Sequence, residues 1–293
     1  MKRLSLFVVL ILSLGLLAGC NSEKDTVIVG SKDFTEQYIL GNMLTLLIES
    51  NTKLAVTYKS DLSSDVLFAA TRTGAVDLYV EYTGTVYGSY FRYSDVKNPQ
   101  EVFEIVEREL MERYSLRALC PLGFNNTYAL AVRADTAATY DLNSISDLAK
   151  VSSDLVFGGF VEFLNRYDGV PNLKLTYDMV FSDEVVVETQ TRYQDLINDK
   201  IQVLEVYATD GMLSEYNLVV LEDDKTFFPA YEGIIIIRDD AVQKHPELLE
   251  VICVLTNLLD DAVMRDLNYR VDISGESPKS VAEDFLRTNG LIK

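Results

Sequence analysis

The apolar positions of this chain switch repeatedly between two spacings, one suited to strands and one to helices. Val27 to Gly30 form a short apolar run, which predicts a buried strand. Ile39, Leu40, Met43, Leu44 and Leu47 then recur three and four residues apart on one helical face, with Asp33 or Thr35 as the candidate cap. A second strand follows in "KLAVTYKS", a helix in "SSDVLFAATRTG" that stops at Gly74, and a third strand in "AVDLYVEY". This rhythm is that of a parallel α/β sheet. "PQEVFEIVERELMERY" adds an amphipathic helix.

A second cycle of the same kind opens at "NNTYALAVRAD". "SISDLAK" reads as a short helix, "DLVFGGF" as a strand, and "YQDLINDKIQVLEVYAT" as a helix leading into a strand. "LVVLEDD" and the β-branched "AYEGIIIIRDD" are further strands, and "PELLEVICVLTNLL" and "SPKSVAEDFLRTNGLI" are closing helices. No low-complexity linker divides the chain, so two lobes would have to exchange chain more than once, near Asn126 and near Tyr231. The expected division is a discontinuous lobe of residues 26–127 plus 232–293 and a second lobe of residues 128–231.

The beginning of the chain is of another kind. Lys2 and Arg3 precede an apolar run from Leu6 to Leu17, and Leu17-Ala18-Gly19-Cys20 closes it. That run is too short and too N-terminal for an ordinary spanning helix, so residues 1–19 read as an export signal. The small residues before Cys20 resemble a bacterial lipobox, in which the cysteine is acylated and anchors the mature protein to lipid. Residues 20–25 then form the lipid-anchored tether.

Removing the signal takes away two basic residues and no acidic one, so the formal charge moves from −19 to −21. That balance argues against nucleic acid as a partner, because gripping phosphates needs clustered Lys and Arg. Cys120 and Cys253 stand far apart in apolar contexts and are expected as buried free thiols rather than a disulfide. His245 is the sole histidine, so a histidine-based triad or a His-rich metal site is close to excluded, and no cofactor is expected.

Six segments, taken in order, carry a family likeness: "VGSKDFTEQYILGNML", "DLYVEYTGT", "FNNTYALAVR", "FGGFVEFLNRYDG", "EVYATDG" and "FFPAYEGIIIIRDD". Together they resemble the substrate-binding lipoproteins of ABC importers for osmoprotectants such as glycine betaine, carnitine, choline and proline betaine. The likeness covers Thr26 to Lys293. It implies a bilobed periplasmic-binding-protein-like α/β fold, with two crossing strands and a ligand cleft between the lobes. It also implies a monomer on the outer face of the cytoplasmic membrane, partnered by ABC permease and ATPase subunits.

The ligand chemistry gives the tyrosines a purpose. A trimethylammonium group is positive but has no N–H to donate, so it is recognised by aromatic faces, worth about 0.5–2 kcal/mol each once desolvated. Carried over residue by residue, the family cage falls on Tyr82, Tyr128, Tyr207 and Tyr231. The donors for a betaine carboxylate fall on Lys32 and Arg166, with Thr85 adding a hydroxyl. Those donors favour carboxylate-bearing ligands over choline. Asn126 stands where some members have aspartate, and Tyr167 where an acidic residue is common, which touches the choice of ligand.

Strand alternation sends Tyr82 to one face of "DLYVEY" and Tyr79 to the other, and Tyr79 and Tyr87 are expected as packing or surface residues. If Tyr82 offers only its ring, phenylalanine there should keep affinity and alanine lose it. Two other readings stay open: the same fold binding an amino acid or another small zwitterion, and a lipid-anchored enzyme working through paired carboxylates, for which no catalytic constellation stands out.

Overall fold

Strand β3 (Leu78–Tyr82) is buried at all five positions, which requires packed layers on both of its faces. The computed structural model shows those layers, and it describes residues 25–93, 98–165, 169–188, 191–256 and 258–293. The expected export signal, Cys20 and nearly all of the expected tether lie outside the described residues, as do Arg166, Tyr167 and the side chain of Cys120.

Two five-stranded sheets form the frame. In the first, β1 (Thr26–Gly30) lies between and parallel to β2 (Ala55–Lys59) and β3. On the far side of β3, β10 (Glu232–Arg238) runs antiparallel to both β3 and the edge strand β4 (Leu116–Asn125). The second sheet repeats the plan. Here β6 (Val156–Gly159) is parallel to β7 (Asp183–Val186) and β8 (Val203–Tyr207), while β5 (Tyr128–Arg133) runs antiparallel to β8 and β9 (Leu218–Val220). The chain leaves the first sheet from β4, crosses through Asn126 and Thr127 into β5, and returns between β9 and β10.

Helices α1 (Thr35–Asn51), α2 (Ser64–Thr73) and α3 (Pro99–Tyr114) cover the first sheet. The second carries α4 (Ala134–Tyr140), α5 (Ile145–Ala149), α6 (Val161–Asn165), α7 (Val170–Tyr177), α8 (Arg192–Ile197) and α9 (Met212–Glu215). After β10 come α10 (Asp239–Lys244), α11 (Glu247–Ile252), α12 (Asp261–Asp272) and α13 (Pro278–Thr288). Of these, α11, α12 and α13 pack on α1. Among the described residues no helix is long and apolar enough to cross a membrane.

The run of isoleucines in β10 follows from this sandwich. Ile235 and Ile237 join Leu78, Val80 and Tyr82 in the core beneath α1, whereas Ile234 and Ile236 join Tyr79 and Tyr87 in the core beneath α2 and α3. A strand covered on both faces has no polar side, and each buried isoleucine contributes about 1.5–3 kcal/mol. Tyr79 and Tyr87 therefore face away from Tyr82 as packing residues.

Some helix ends follow local chemistry. Gly74 ends α2 at φ 81°, a left-handed position that glycine takes without strain. Ser277 caps α13, accepting from the Ser280 N–H at 3.1 Å, with Pro278 in the first turn. Ser277→Ala should cost about 1 kcal/mol; urea denaturation checks this, and an unchanged midpoint would show that packing on α1 alone holds the helix.

Three expectations need correction. Neither Asp33 nor Thr35 caps α1: Phe34 occupies that position, and no side chain bonds the first turn. The helix expected from Pro246 onward is shorter than its apolar run, because it tightens into a 3-10 turn at Cys253–Leu255. Cys253 is disulfide-bonded, so the free-thiol expectation fails for it. Its turn packs against β4, and disulfides persist in oxidising compartments.

Candidate functional site

The two crossings hydrogen-bond to each other and set the geometry between the lobes. The Asn126 N–H donates to the Tyr231 carbonyl at 3.1 Å, and the Tyr231 N–H donates to Asn125 Oδ1 at 2.7 Å. Thr127 Oγ1 donates to the Pro229 carbonyl at 2.8 Å. Beside this seam lies a cavity of about 800 Å³.

Seven of the eight residues expected at the site line that cavity: Lys32, Tyr82, Thr85, Asn126, Tyr128, Tyr207 and Tyr231. The eighth, Arg166, lies outside the described residues. Each tyrosine arrives from a strand end or a crossing, where open α/β sheets keep their ligand crevices. Tyr82 ends β3, and Tyr128 and Tyr207 are direct cross-strand partners in the β5–β8 ladder. Their ring centroids lie 5.3 Å apart, inclined at 31°.

Tyr231 reaches the cavity over Gly84, the glycine of the Thr-Gly-Thr turn. A Cβ at Gly84 would fall 2.7 Å from the Ala230 carbonyl oxygen and 2.8 Å from the Tyr231 ring. Glycine is needed there for close approach rather than for an unusual φ, which is −64°.

Other residues give the site its polarity. Lys32 is buried, ion-paired with Glu81, and its Nζ sits 4.8 Å from the Tyr82 ring centroid. Glu81 also accepts from the Tyr90 hydroxyl at 2.7 Å and from the Tyr82 N–H at 2.9 Å. The Tyr82 hydroxyl is bonded on both sides within the protein. It donates to Glu36 Oε1 at 2.6 Å and accepts from Gln37 at 3.2 Å.

Glu36 is 2% exposed and gathers neutral donors. Besides Tyr82 it accepts from Asn126 Nδ2 at 2.9 Å and Asn268 Nδ2 at 3.2 Å, and it is also hydrogen-bonded by Thr209. Burial pushes its carboxyl above the usual range, while the bonds from Tyr82, Thr209, Asn268 and Asn126 pull the other way. On the opposite wall Arg192 is buried, ion-paired with Asp210, and stacked at 4.9 Å over Phe160.

Phe34, Glu36, Arg192, Asp210 and Asn268 line the cavity and were absent from the sequence reading. The segment "SKDFTEQ" that carries Lys32 also supplies Phe34, whose ring stacks 6.3 Å from Tyr82, and Glu36.

Residues 25–288 match the family described as the substrate binding domain of ABC-type glycine betaine transport system. An ergothioneine transport permease/ergothioneine binding protein of Helicobacter pylori is 36% identical over 98% of this chain, which spans 52% of that relative's length. A carnitine transport binding protein of Listeria monocytogenes is 35% identical over all of this chain and 98% of its own. A crystal structure described as a glycine betaine/carnitine/choline ABC transporter superposes with TM-score 0.87 at 32% identity, covering 91% of this chain and all of that one. An apo structure of YehZ from Escherichia coli follows, with TM-score 0.80 at 26% identity, 91% of this chain and 99% of that one. By its matched length and its relatives, this chain belongs to the substrate-binding-domain family of ABC-type glycine betaine transport systems.

Proposed function

We propose that this protein is the non-enzymatic, extracytoplasmic solute-binding subunit of an ABC importer for quaternary ammonium compounds. The observation that carries this reading is the convergence of Tyr82, Tyr128, Tyr207 and Tyr231 on one cavity between two lobes. Four faces supply roughly 2–8 kcal/mol, against the ~8 kcal/mol of micromolar binding before ordering costs. The export signal and the lipobox-like Cys20 would place the monomer on the outer face of the cytoplasmic membrane, within reach of its permease and ATPase partners.

The cavity, at about 800 Å³, lies in the upper part of the roughly 300–1,000 Å³ range of small-molecule sites. It therefore admits betaines longer than glycine betaine, including the carnitine and ergothioneine named for the relatives. Calorimetric titration of the mature domain with glycine betaine, carnitine, choline, proline betaine and ergothioneine tests the reading. Micromolar binding of at least one is expected. Heat only with an amino acid such as proline would replace it by the amino-acid alternative, and turnover on prolonged incubation would replace it by an enzyme.

A further inference from the structure

The cavity wall holds several charged side chains, and most of them cancel in pairs. Lys32 is ion-paired with Glu81, and Arg192 with Asp210. Glu36 differs. Among the described residues its hydrogen-bond partners, Tyr82, Asn126, Asn268 and Thr209, are all neutral, and no basic side chain is ion-paired to it. A buried carboxylate without a counter-ion is costly, and an arriving cation offsets that cost. Position in the first turn of α1 also helps, because the helix N-terminus favours an anion.

We propose that Glu36 is the counter-charge for the ligand's cation and acts through Tyr82, whose hydroxyl it accepts. A phenol that donates to a carboxylate carries more electron density on its ring, and the ring face is what attracts a quaternary ammonium. Glu36 thus makes Tyr82 a stronger cation receptor than a tyrosine whose hydroxyl faces water. Asn126 and Asn268 hold the carboxylate in place beside Tyr82, and Thr209 adds a partner from the far side of the cavity. This inference rests on a quaternary ammonium ligand occupying the cavity.

The consequence for pH has a definite sign. Only ionised Glu36 is a counter-charge, so affinity should fall as pH drops through its raised pKa. The charged groups around it are Lys32 on the loop before α1, held by Glu81 of β3, and Asp272 at the end of α12, bonded by Thr35. Across the cavity stands Asp210, held by Arg192 and Tyr193. From α11, α13 and β2 Glu36 receives no hydrogen bond among the described residues. Asp272 is also raised by burial, so the wild-type profile alone does not isolate Glu36.

The test compares wild type, Glu36→Gln and Glu36→Asp by calorimetry with choline, which has no titrating group below neutral pH, at several values from pH 5 to 8. Choline is used only if wild type binds it; otherwise the quaternary ligand that does bind takes its place. Glu36→Gln is expected to lose roughly tenfold in affinity at pH 8 and to flatten the profile, while Glu36→Asp, which keeps the charge, retains the wild-type slope. Affinity within twofold of wild type in Glu36→Gln, or an unchanged slope there, would overturn the proposal. If Glu36→Gln fails to fold, the Glu36→Asp slope decides, and a flat profile in that folded variant overturns it. Should wild type bind no quaternary ligand at all, it is the functional reading that fails.

Discussion

Gly211→Ala is expected to weaken ligand capture by roughly 30- to 160-fold while leaving the thermal midpoint close to wild type. Gly211 lies between β8 and α9 in the second lobe, and α12 belongs to the first. A Cβ on Gly211 would fall 2.6 Å from the Tyr269 N, 2.7 Å from its Cα and 3.1 Å from the Asn268 carbonyl carbon. All three are backbone atoms, which do not swing aside as a flexible side chain can.

Two hydrogen bonds between the lobes lie beside this contact. Asn268 Nδ2 donates to the Thr209 carbonyl at 2.9 Å, and Arg265 Nη1 to the Ala208 carbonyl at 3.3 Å. Overpacking there costs about 2–3 kcal/mol, and it falls on the juxtaposed lobes alone, because separated lobes leave the added methyl free. Calorimetry gives the affinity, and small-angle scattering with saturating ligand reports whether the variant still compacts. A dissociation constant within twofold of wild type would show that this seam is not needed for capture.

Tyr82→Ala is expected to cost about 2–3 kcal/mol of binding, roughly 30- to 160-fold. It removes a cation-attracting face and leaves Glu36 short of a donor. Tyr82→Phe keeps the face and loses only the hydroxyl, so it should fall between, at about 1–2 kcal/mol or roughly 5- to 30-fold. The intermediate value separates the possibilities in one titration series. Phenylalanine equal to wild type would make the hydroxyl irrelevant, and phenylalanine equal to alanine would mean that the ring contributes nothing.

If Tyr82 offered only its ring, phenylalanine at position 82 would keep affinity. Glu36 changes that expectation, and nothing local announces it. An acidic residue in the first turn of a helix ordinarily reads as a partner for the helix dipole. Its actual partners come from β3, the first crossing, α12 and the second lobe, and Asn268 lies 232 positions away in sequence. The pairing of Lys32 with Glu81 is hidden for the same reason, and it leaves the lysine less free to serve a ligand carboxylate than its motif suggests.

Strand β4 shows the complementary failure. "LRALCPLGFN" contains Pro121 and Gly123, which punctuate a sequence as a turn does. In the structure it is the edge strand of the first sheet, bonded only to β10 and with register shifts where the two pair near Pro121. An edge tolerates a residue without an N–H, so the proline breaks no ladder on its open side.

What the chain determined by itself is whatever depends on neighbours along the chain. The periods of 2 and 3.6 placed β1 to β3, α1 to α3 and most of the second cycle, and alternation separated Tyr82 from Tyr79. The ordered motifs pointed to the four tyrosines, because a tyrosine at a strand end or a crossing has one direction open to it. Only the tertiary structure decided which charges cancel, which carboxylate is bonded to a cage tyrosine, and why Gly84 and Gly211 bear no side chain. Those properties arise from atoms brought within about 4 Å by the closing of two sheets on each other, and sequence separation carries no record of that distance.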